Sequence, residues 1–148
     1  MKNKFVETRY LDLDDIEQIV EFDKSMTKKE FAQILSESNV RGIVAEEGDN
    51  NIVGYAIIDL GIEDVFTVKK LVIRKEFRRN GFGTALLEAC LKVKKVKRPE
   101  SLIEIYINEK DLESAMFYKY HGYKGSLVRD YYYGSDGIKF IKPVQASA

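Results

Sequence analysis

Residues 71–91 read LVIRKEFRRNGFGTALLEACL, and this stretch decides the fold. An apolar strand end runs into a basic loop with glycines at positions 81 and 83, and an amphipathic helix follows. The first backbone N–H groups of a helix are unpaired and carry a partial positive charge, so they favour anions. Glycine removes the side chains that would keep a ligand away from those groups. The stretch therefore predicts an anion site at the point where a strand turns into a helix.

The sequence on either side of this loop predicts an α/β fold. Hydrophobic periodicity, capping signals and turn residues indicate the order strand, helix, helix, three strands, helix, strand, helix, two strands. Residues 63–107 are typical of a strand, a helix and a second strand parallel to the first, with a right-handed crossover. Hairpins and short helices join the other strands, so we expect a mixed central β-sheet flanked by helices. At 148 residues the chain is the size of one domain, and we expect a single domain over residues 1–148.

Several element boundaries depend on particular residues. TKKE at 27–30 has the capping-box pattern that begins a helix. The helix after the loop should run from Gly83 to Lys97, because a proline follows shortly afterwards. The last two strands should lie at about 123–132 and 138–142, on either side of the turn residues GSDG.

Charge is unevenly spread along the chain, although the formal net charge is zero. Residues 1–68 hold 15 acidic and 7 basic residues, residues 69–98 hold 2 and 11, and residues 99–148 hold 7 and 6. The basic middle surrounds the glycine loop, which points to an anionic ligand. The alternative for the five basic residues between positions 92 and 98 is a solvated helix face.

The remaining composition narrows the class of protein. No apolar run approaches the roughly 18 residues of a membrane helix, and the N-terminal stretch lacks the apolar region of a secretory signal. The single cysteine, Cys90, excludes an internal disulfide, and we expect it to be a buried thiol. We therefore expect a cytoplasmic protein with no membrane partner and no metal. No nucleic-acid motif accompanies the basic residues, so a nucleic-acid partner is not favoured.

The glycine loop differs from two common phosphate loops. A P-loop would have a lysine after its second glycine, and a dinucleotide fingerprint would have a third glycine where Leu86 stands. The loop instead resembles the acetyl-CoA-binding motif of the GNAT superfamily of N-acetyltransferases. That motif has Gln or Arg three residues before a glycine and Gly or Ala two residues after it, a pattern filled here by Arg78, Gly81 and Gly83.

A second resemblance lies nearer the C-terminus. AMFYKYHGY, residues 115–123, is similar to the superfamily's helix in which a tyrosine precedes a Gly-aromatic pair by four residues, here Tyr118, Gly122 and Tyr123. The order of elements and the chain length also agree with those of the superfamily, so the resemblance covers nearly the whole chain. It implies a GNAT-type fold and an acetyl-CoA-dependent N-acetyltransferase that acts on a primary amine by direct attack on the thioester.

The resemblance also implies where coenzyme A binds. Backbone N–H groups from Arg79 to Thr84 would hold its diphosphate, and its pantetheine arm would lie along the strand end. Asp111 falls where relatives often have an asparagine that contacts pantetheine, although a helix cap is the alternative role. The candidate coenzyme-binding residues are Leu71, Val72, Ile73, Arg78, Arg79, Asn80, Gly81, Phe82, Gly83, Thr84 and Asp111.

The reaction needs a proton donor and a base. The resemblance assigns the proton for the departing thiolate to Tyr118, and a phenol with a pKa of about 10 is protonated at neutral pH. A core aromatic with a satisfied hydroxyl is the alternative. Glu104 and Tyr106 share the strand face opposite three isoleucines, and Tyr106 stands where relatives often have a glutamate. We take Glu104 as the base, acting directly or through water, with a solvated strand residue as the alternative.

The acceptor is predicted less directly. RDYYYGSDG, residues 129–137, resembles the tyrosine-rich hairpin of ribosomal-protein alanine N-acetyltransferases, whose adjacent tyrosines bind the substrate peptide. Consecutive tyrosines should place side chains on both sheet faces, and the candidate acceptor-binding residues are Tyr106, Tyr131 and Tyr132.

A protein or peptide N-terminal amine is the leading acceptor. A polyamine, amino acid or aminoglycoside is the first alternative, and a non-catalytic acyl-CoA-sensing module is the second. The choice depends on the loops around residues 23–40 and 130–137. We expect a monomer or a homodimer.

Overall fold

The computed structural model describes residues 6–48, 50–61, 65–93 and 101–143. The chain divides into two compact units, the first made of Met1–Leu60 and Lys69–Lys95, the second of Gly61–Val68 and Val96–Ala148. Each unit is described by itself below. The expectation of a single domain over residues 1–148 stays a prediction.

The described residues form seven strands and four α-helices in the predicted order. They are β1 (Glu7–Tyr10), α1 (Ile16–Phe22), α2 (Lys28–Leu35), β2 (Val40–Glu46), β3 (Ile52–Asp59), β4 (Val65–Ile73), α3 (Phe82–Val93), β5 (Leu102–Asn108), α4 (Leu112–Tyr120), β6 (Lys124–Tyr132) and β7 (Ser135–Pro143). Short 3-10 turns lie at Leu13–Asp15 and Lys75–Phe77.

Two boundaries differ from the sequence prediction. β7 begins at Ser135 rather than at 138, because Ser135 pairs directly with Tyr132 and leaves only two residues in the turn. α3 begins at Phe82, one residue before the predicted Gly83. The predicted continuation of α3 to Lys97, and the proline after it, lie outside the described residues.

The first unit has the strand order β1-β2-β3-β4, in which β1 with β2 and β2 with β3 are antiparallel. Its core includes Phe31 of α2 and Tyr55 of β3, both fully buried. The predicted capping box is confirmed, because the Thr27 side chain accepts from the Glu30 N–H and Glu30 accepts from the Thr27 N–H. Cys90 is buried as expected, and burial raises the pKa of its thiol to about 12.

The second unit has the strand order β4-β5-β7-β6. Val65–Val68 of β4 pair in parallel with Leu102–Ile105 of β5, and the other pairings of this unit are antiparallel. The predicted parallel pair and the mixed sheet are therefore confirmed. In β5 the three isoleucines are buried and alternate with half-buried Glu104 and Tyr106, as the sequence pattern predicts.

A bulge interrupts β6 where its tyrosines begin. Val128 pairs with Gly137 and Tyr132 with Ser135, so β6 has two more residues than β7 over this interval. Asp130 takes a φ of +56°, and its N–H donates to the Asp136 carboxylate at 2.8 Å. The side chains of β6 consequently do not alternate in a simple way beyond Val128.

Candidate active site

Hydrogen bonds within the basic loop, residues 74–84, involve its own backbone and the Asn80 side chain, and the Arg74 N–H also donates to the Val53 carbonyl of β3 at 2.8 Å. The Phe77 N–H donates to the Arg74 carbonyl at 2.9 Å, and the Asn80 side chain donates to the carbonyls of Phe77 and Arg78, both at 3.2 Å. Arg79 and Gly81 have φ values of +66° and +85°. These left-handed residues turn the chain sharply into α3.

The start of α3 leaves backbone donors available. The Ala85 N–H bonds to the Gly81 carbonyl at 3.0 Å, but within the described residues the amides of Phe82 and Gly83 donate to no protein acceptor. No acidic residue lies in the first turn of the helix. Phe82 is only 1% exposed, whereas Gly81 before it is exposed and Gly83 after it is half-buried. The arrangement suits an anion.

Gly81 and Gly54 are required for different reasons. A Cβ on Gly81 would have no atom within 4 Å, so this glycine is needed for its positive φ rather than for space. A Cβ on Gly54 in β3 would lie 2.6 Å from the Ile73 side chain and 2.7 Å from the Val72 carbonyl. Sequence reasoning missed Gly54, although a lone glycine inside an apolar strand signals a close backbone approach.

The arginines of the basic loop differ in what anchors them. The Arg78 Nε donates to the Ile73 carbonyl at 3.0 Å, which ties this exposed cation to the end of β4. Arg79 is exposed. The candidate coenzyme residues Leu71 to Ile73 are half-buried at the same strand end. The first unit therefore brings the strand end, two arginines and the helix start together.

The second unit holds the candidate base. The Glu104 carboxylate accepts a hydrogen bond from the Thr67 hydroxyl at 3.1 Å, across the parallel pair of strands. Partial burial, with the nearby Glu104 charge and Tyr131, raises the pKa of Tyr106 above that of an ordinary tyrosine. Tyr106 is therefore protonated at neutral pH, and a carboxylate is the better proton acceptor on this strand face.

The three candidate acceptor-binding tyrosines are brought into contact. The rings of Tyr106 and Tyr131 stack with centroids 4.6 Å apart and planes 9° apart, and Tyr132 meets Tyr131 edge-on at 4.9 Å. A Cβ on Gly137 would lie 2.9 Å from the Tyr131 Cβ, so Tyr131 lies over a position that must be glycine. Partial burial, with Tyr131 and the charge of Asp111, raises the pKa of Tyr132.

Residues of α4 combine structural contacts with their candidate roles. The Asp111 carboxylate accepts from the Ser114 N–H at 3.1 Å, which confirms the helix cap. Tyr118 is 3% exposed, and its ring contacts Phe140 at 5.8 Å between centroids. His121, to which we give no catalytic part, has its Nδ1 2.9 Å from the Phe117 carbonyl at the helix end.

Comparison with known proteins identifies the family. A family model described as the acetyltransferase (GNAT) domain matches residues 12–142. The chain therefore belongs to the GNAT acetyltransferase family. Because the chain belongs to this family and an N-acetyltransferase is among its relatives, it is an acetyl-CoA-dependent N-acetyltransferase. The alternative of a non-catalytic acyl-CoA-sensing module is therefore set aside.

Individual relatives agree with this assignment. The chain is 26% identical to an N-alpha-acetyltransferase of Sulfurisphaera tokodaii, over 97% of this chain and 96% of the relative. Its fold is similar to the ribosomal-protein-S18-alanine N-acetyltransferase of Escherichia coli, with a TM-score of 0.80, 17% identity and 97% of both chains covered. It is also similar to the spermidine/spermine N-acetyltransferase SpeG of Vibrio cholerae, in a structure of mutant forms, with a TM-score of 0.77, 12% identity and 95% of both chains covered. None of the helices in the described ranges has the length and apolar character needed to cross a membrane.

Proposed function

We propose that this enzyme acetylates a protein or peptide N-terminal amine, and that the amine attacks the thioester of acetyl-CoA directly. The observation that supports the use of acetyl-CoA is the pair of unpaired amides, Phe82 and Gly83, at the start of α3 beside Arg78 and Arg79. Backbone donors and guanidinium groups together suit the diphosphate of coenzyme A. The residues proposed to hold this part of the coenzyme are Arg78, Arg79, Asn80, Gly81, Phe82, Gly83 and Thr84.

The pantetheine arm is assigned to the end of β4. Leu71, Val72 and Ile73 are half-buried there, and Gly54 lets β3 approach them without a side chain between. A strand N–H near Val72 or Ile73 would stabilise the oxyanion of the tetrahedral intermediate. Asp111 is a second candidate contact for pantetheine, in addition to its role as the cap of α4.

The reaction moves one acetyl group and two protons. The amine nitrogen forms a bond to the carbonyl carbon, and the carbon–sulfur bond breaks with its electron pair leaving on sulfur. We assign the first proton of the bound ammonium to Glu104, directly or through water, because a carboxylate accepts protons and the Thr67 hydroxyl bonds to this one at 3.1 Å. Tyr118 would supply the proton that the departing thiolate takes up, and it would regain one from the acetylated nitrogen, which accounts for the second proton that the amine loses.

The acceptor assignment rests on the tyrosine cluster. Tyr106, Tyr131 and Tyr132 form a contiguous aromatic surface, and Glu104 and Asp111 place negative charge close to Tyr106 and Tyr132. Aromatic rings beside carboxylates suit an ammonium group on a peptide. Of the relatives described above, one is named an N-alpha-acetyltransferase and another a ribosomal-protein-S18-alanine N-acetyltransferase. The same surface suits a small polyamine, and the likeness to a spermidine/spermine enzyme keeps that acceptor as the second candidate.

A thiol-release assay with matched acceptors tests the proposal. Peptides with a free N-terminus should release coenzyme A, and mass spectrometry should locate the acetyl group on the α-amine. The same peptides with a blocked N-terminus and an internal lysine are the controls, and they should not react. A higher kcat/KM for spermidine than for every free peptide would overturn the peptide assignment in favour of the second candidate.

We extend the proposal to a cytoplasmic location, since the one thiol of the chain is buried and burial raises its pKa.

A further inference from the structure

The last residue of α1 and the first three residues after it, 22–25 (the α1–α2 turn), are bonded to two strands of the first unit. The Asp23 carboxylate accepts a hydrogen bond from the buried Tyr55 hydroxyl of β3 and pairs with the Lys70 ammonium of β4 at 3.5 Å. Lys70 also donates to the Ser25 hydroxyl. The turn lies at the start of the 23–40 region that the sequence marks as one of two acceptor-determining loops.

The charge on Asp23 keeps this attachment in place. Partial burial by itself would raise the pKa of Asp23, but hydrogen bonds from Tyr55 and Ser25 and the charge of Lys70 lower it below its ordinary value. The carboxylate is therefore ionised at neutral pH, and the Lys70 ion pair persists.

Arg74 connects the same turn to the basic loop. Its guanidinium carbon lies 5.6 Å from the Phe22 ring centroid and 5.3 Å from the Phe77 ring centroid. Phe77 in turn meets the Phe82 ring edge-on, with centroids 5.9 Å apart. Phe82 is the first residue of α3, and its N–H is one of the two unpaired amides described above. A continuous series of packed rings and one guanidinium thus runs from the helix start to the α1–α2 turn.

Apolar packing alone does not account for an arginine at this position, and its Nη2 also donates to the exposed Glu76 carboxylate at 2.6 Å. The Arg74 Nε is buried and has no hydrogen-bond partner within the described residues. A methionine would fill the space between two phenylalanine rings without leaving a donor unpaired. A planar guanidinium differs in holding two rings at set distances, which a flexible thioether cannot do.

We propose that Arg74 is a positioning residue that couples coenzyme binding at the basic loop to the conformation of the α1–α2 turn. A diphosphate on the Phe82 and Gly83 amides holds the backbone of Phe82, and the Phe77 and Arg74 contacts carry that restraint to Phe22. The turn is then ordered for the acceptor when the coenzyme is bound, and by linkage a bound acceptor tightens the coenzyme to the same degree. The inference rests on the proposed function.

Hydrogen exchange with coenzyme A as the probe tests the coupling without a known acceptor. In the full wild-type chain, coenzyme A should slow amide exchange by fivefold or more both in residues 78–87 and in the α1–α2 turn. Arg74→Met should retain the protection of 78–87 and lose that of the turn. Arg74→Lys should behave like Arg74→Met, because lysine keeps the charge but not the planar group. Turn protection that survives in Arg74→Met, or is absent in the wild type, would overturn the coupling.

Two further variants keep the test decisive. Arg41→Met, which removes an exposed arginine of β2 whose guanidinium donates to the Ser38 and Val40 carbonyls, should keep both regions of protection. If Arg74→Met fails to fold, Phe22→Leu removes the ring at the other end of the series and should give the same loss of turn protection.

With a reacting acceptor, loss of the coupling should raise the acceptor KM several-fold and leave kcat nearly unchanged. If coenzyme A protects neither region and gives no heat of binding, the proposed function fails and not merely the coupling.

Discussion

Tyr118 and Glu104 occupy surroundings that suit opposite proton transfers. Tyr118 is almost fully buried among aromatic rings of the second unit. Glu104 is half-buried, and its carboxylate accepts a hydrogen bond from the Thr67 hydroxyl. Amine acetylation requires a proton donor for the thiolate and a proton acceptor for the amine, which are the roles proposed for these two residues.

Replacement of Tyr118 by phenylalanine keeps the ring and removes the proposed acid. We expect kcat to fall by about 10²-fold, the lower range for general acid catalysis, and the dissociation constant of acetyl-CoA to stay nearly the same. Steady-state kinetics and calorimetry measure the two quantities. Tyr120→Phe is the matched control, because that tyrosine lies on the same helix and is 86% exposed. An unaffected kcat in Tyr118→Phe would remove this residue from the mechanism.

Glu104→Gln and Tyr106→Phe separate the two candidate bases. We expect Glu104→Gln to lower kcat by about 10²-fold, whereas Tyr106→Phe should change mainly the acceptor KM. Because the pKa of Tyr106 is raised above that of an ordinary tyrosine, activity that depended on a tyrosine base would keep rising with pH through the alkaline range. The pH profile of kcat/KM in Tyr106→Phe should therefore match the wild type in shape. A profile that loses its alkaline rise in this variant would favour Tyr106 instead.

Asp23 should contribute stability that depends on pH. The pKa of Asp23 is lower in the folded chain than in the unfolded chain, so its contribution is present above about pH 4 and is lost as the pH falls through the folded value. Urea unfolding at pH 5, 4 and 3 should show the free energy of unfolding falling more steeply in the wild type than in Asp23→Asn. Parallel slopes for the two proteins would contradict the pairing of Asp23 with Tyr55 and Lys70.

At the scale of elements, the basic loop and the β6–β7 hairpin both position their candidate site residues through irregular backbone. The loop uses positive φ at Arg79 and Gly81 to turn the chain into α3, where the Phe82 and Gly83 amides donate to no acceptor among the described residues. The hairpin uses a bulge, with positive φ at Asp130, to lay Tyr131 across Gly137. In each case the departure from regular structure decides which groups a ligand can reach.

Gly81→Ala tests the role of the basic loop, with Gly134→Ala as its matched control. Both glycines have φ near +85°, at +85° and +84°, and a Cβ on either would have no atom within 4 Å. Each substitution should lower the free energy of unfolding by about 1 kcal/mol, because alanine is strained in the left-handed region. Only Gly81→Ala should weaken coenzyme A binding, by about tenfold in calorimetry, since its methyl group stands beside the proposed diphosphate amides. Equal binding by both variants would contradict the site.

At the scale of the whole molecule, a single domain should unfold cooperatively. β4 contributes Val65–Val68 to the second unit and its remaining residues to the first, so loss of either unit removes pairing from the same strand. We expect one unfolding transition, with the calorimetric enthalpy equal to the van't Hoff enthalpy. Two resolved transitions in differential scanning calorimetry would show independent units and would contradict the single-domain prediction.

Local sequence patterns were sufficient to predict much of the secondary structure of this protein. The order of strands and helices, the Thr27 capping box, the Asp111 cap and the alternation in β5 all follow from residues a few positions apart. The glycine loop before α3 belongs to the same group, since its turn and its unpaired amides depend on the loop's own backbone. Propensity, capping and periodicity act over such short distances, so the sequence carries them without knowledge of the fold.

Contacts between distant residues were decided only by the tertiary structure. The stacking of Tyr106 on Tyr131 depends on a bulge that shifts the register of β6 against β7, and strict alternation could not foresee it. Gly54 matters because β3 meets the end of β4 there, and Arg74 matters because Phe22 and Phe77 lie on either side of it. Such contacts form only when register and packing bring separate segments within a few ångströms of each other, and one changed register would replace every one of these neighbours.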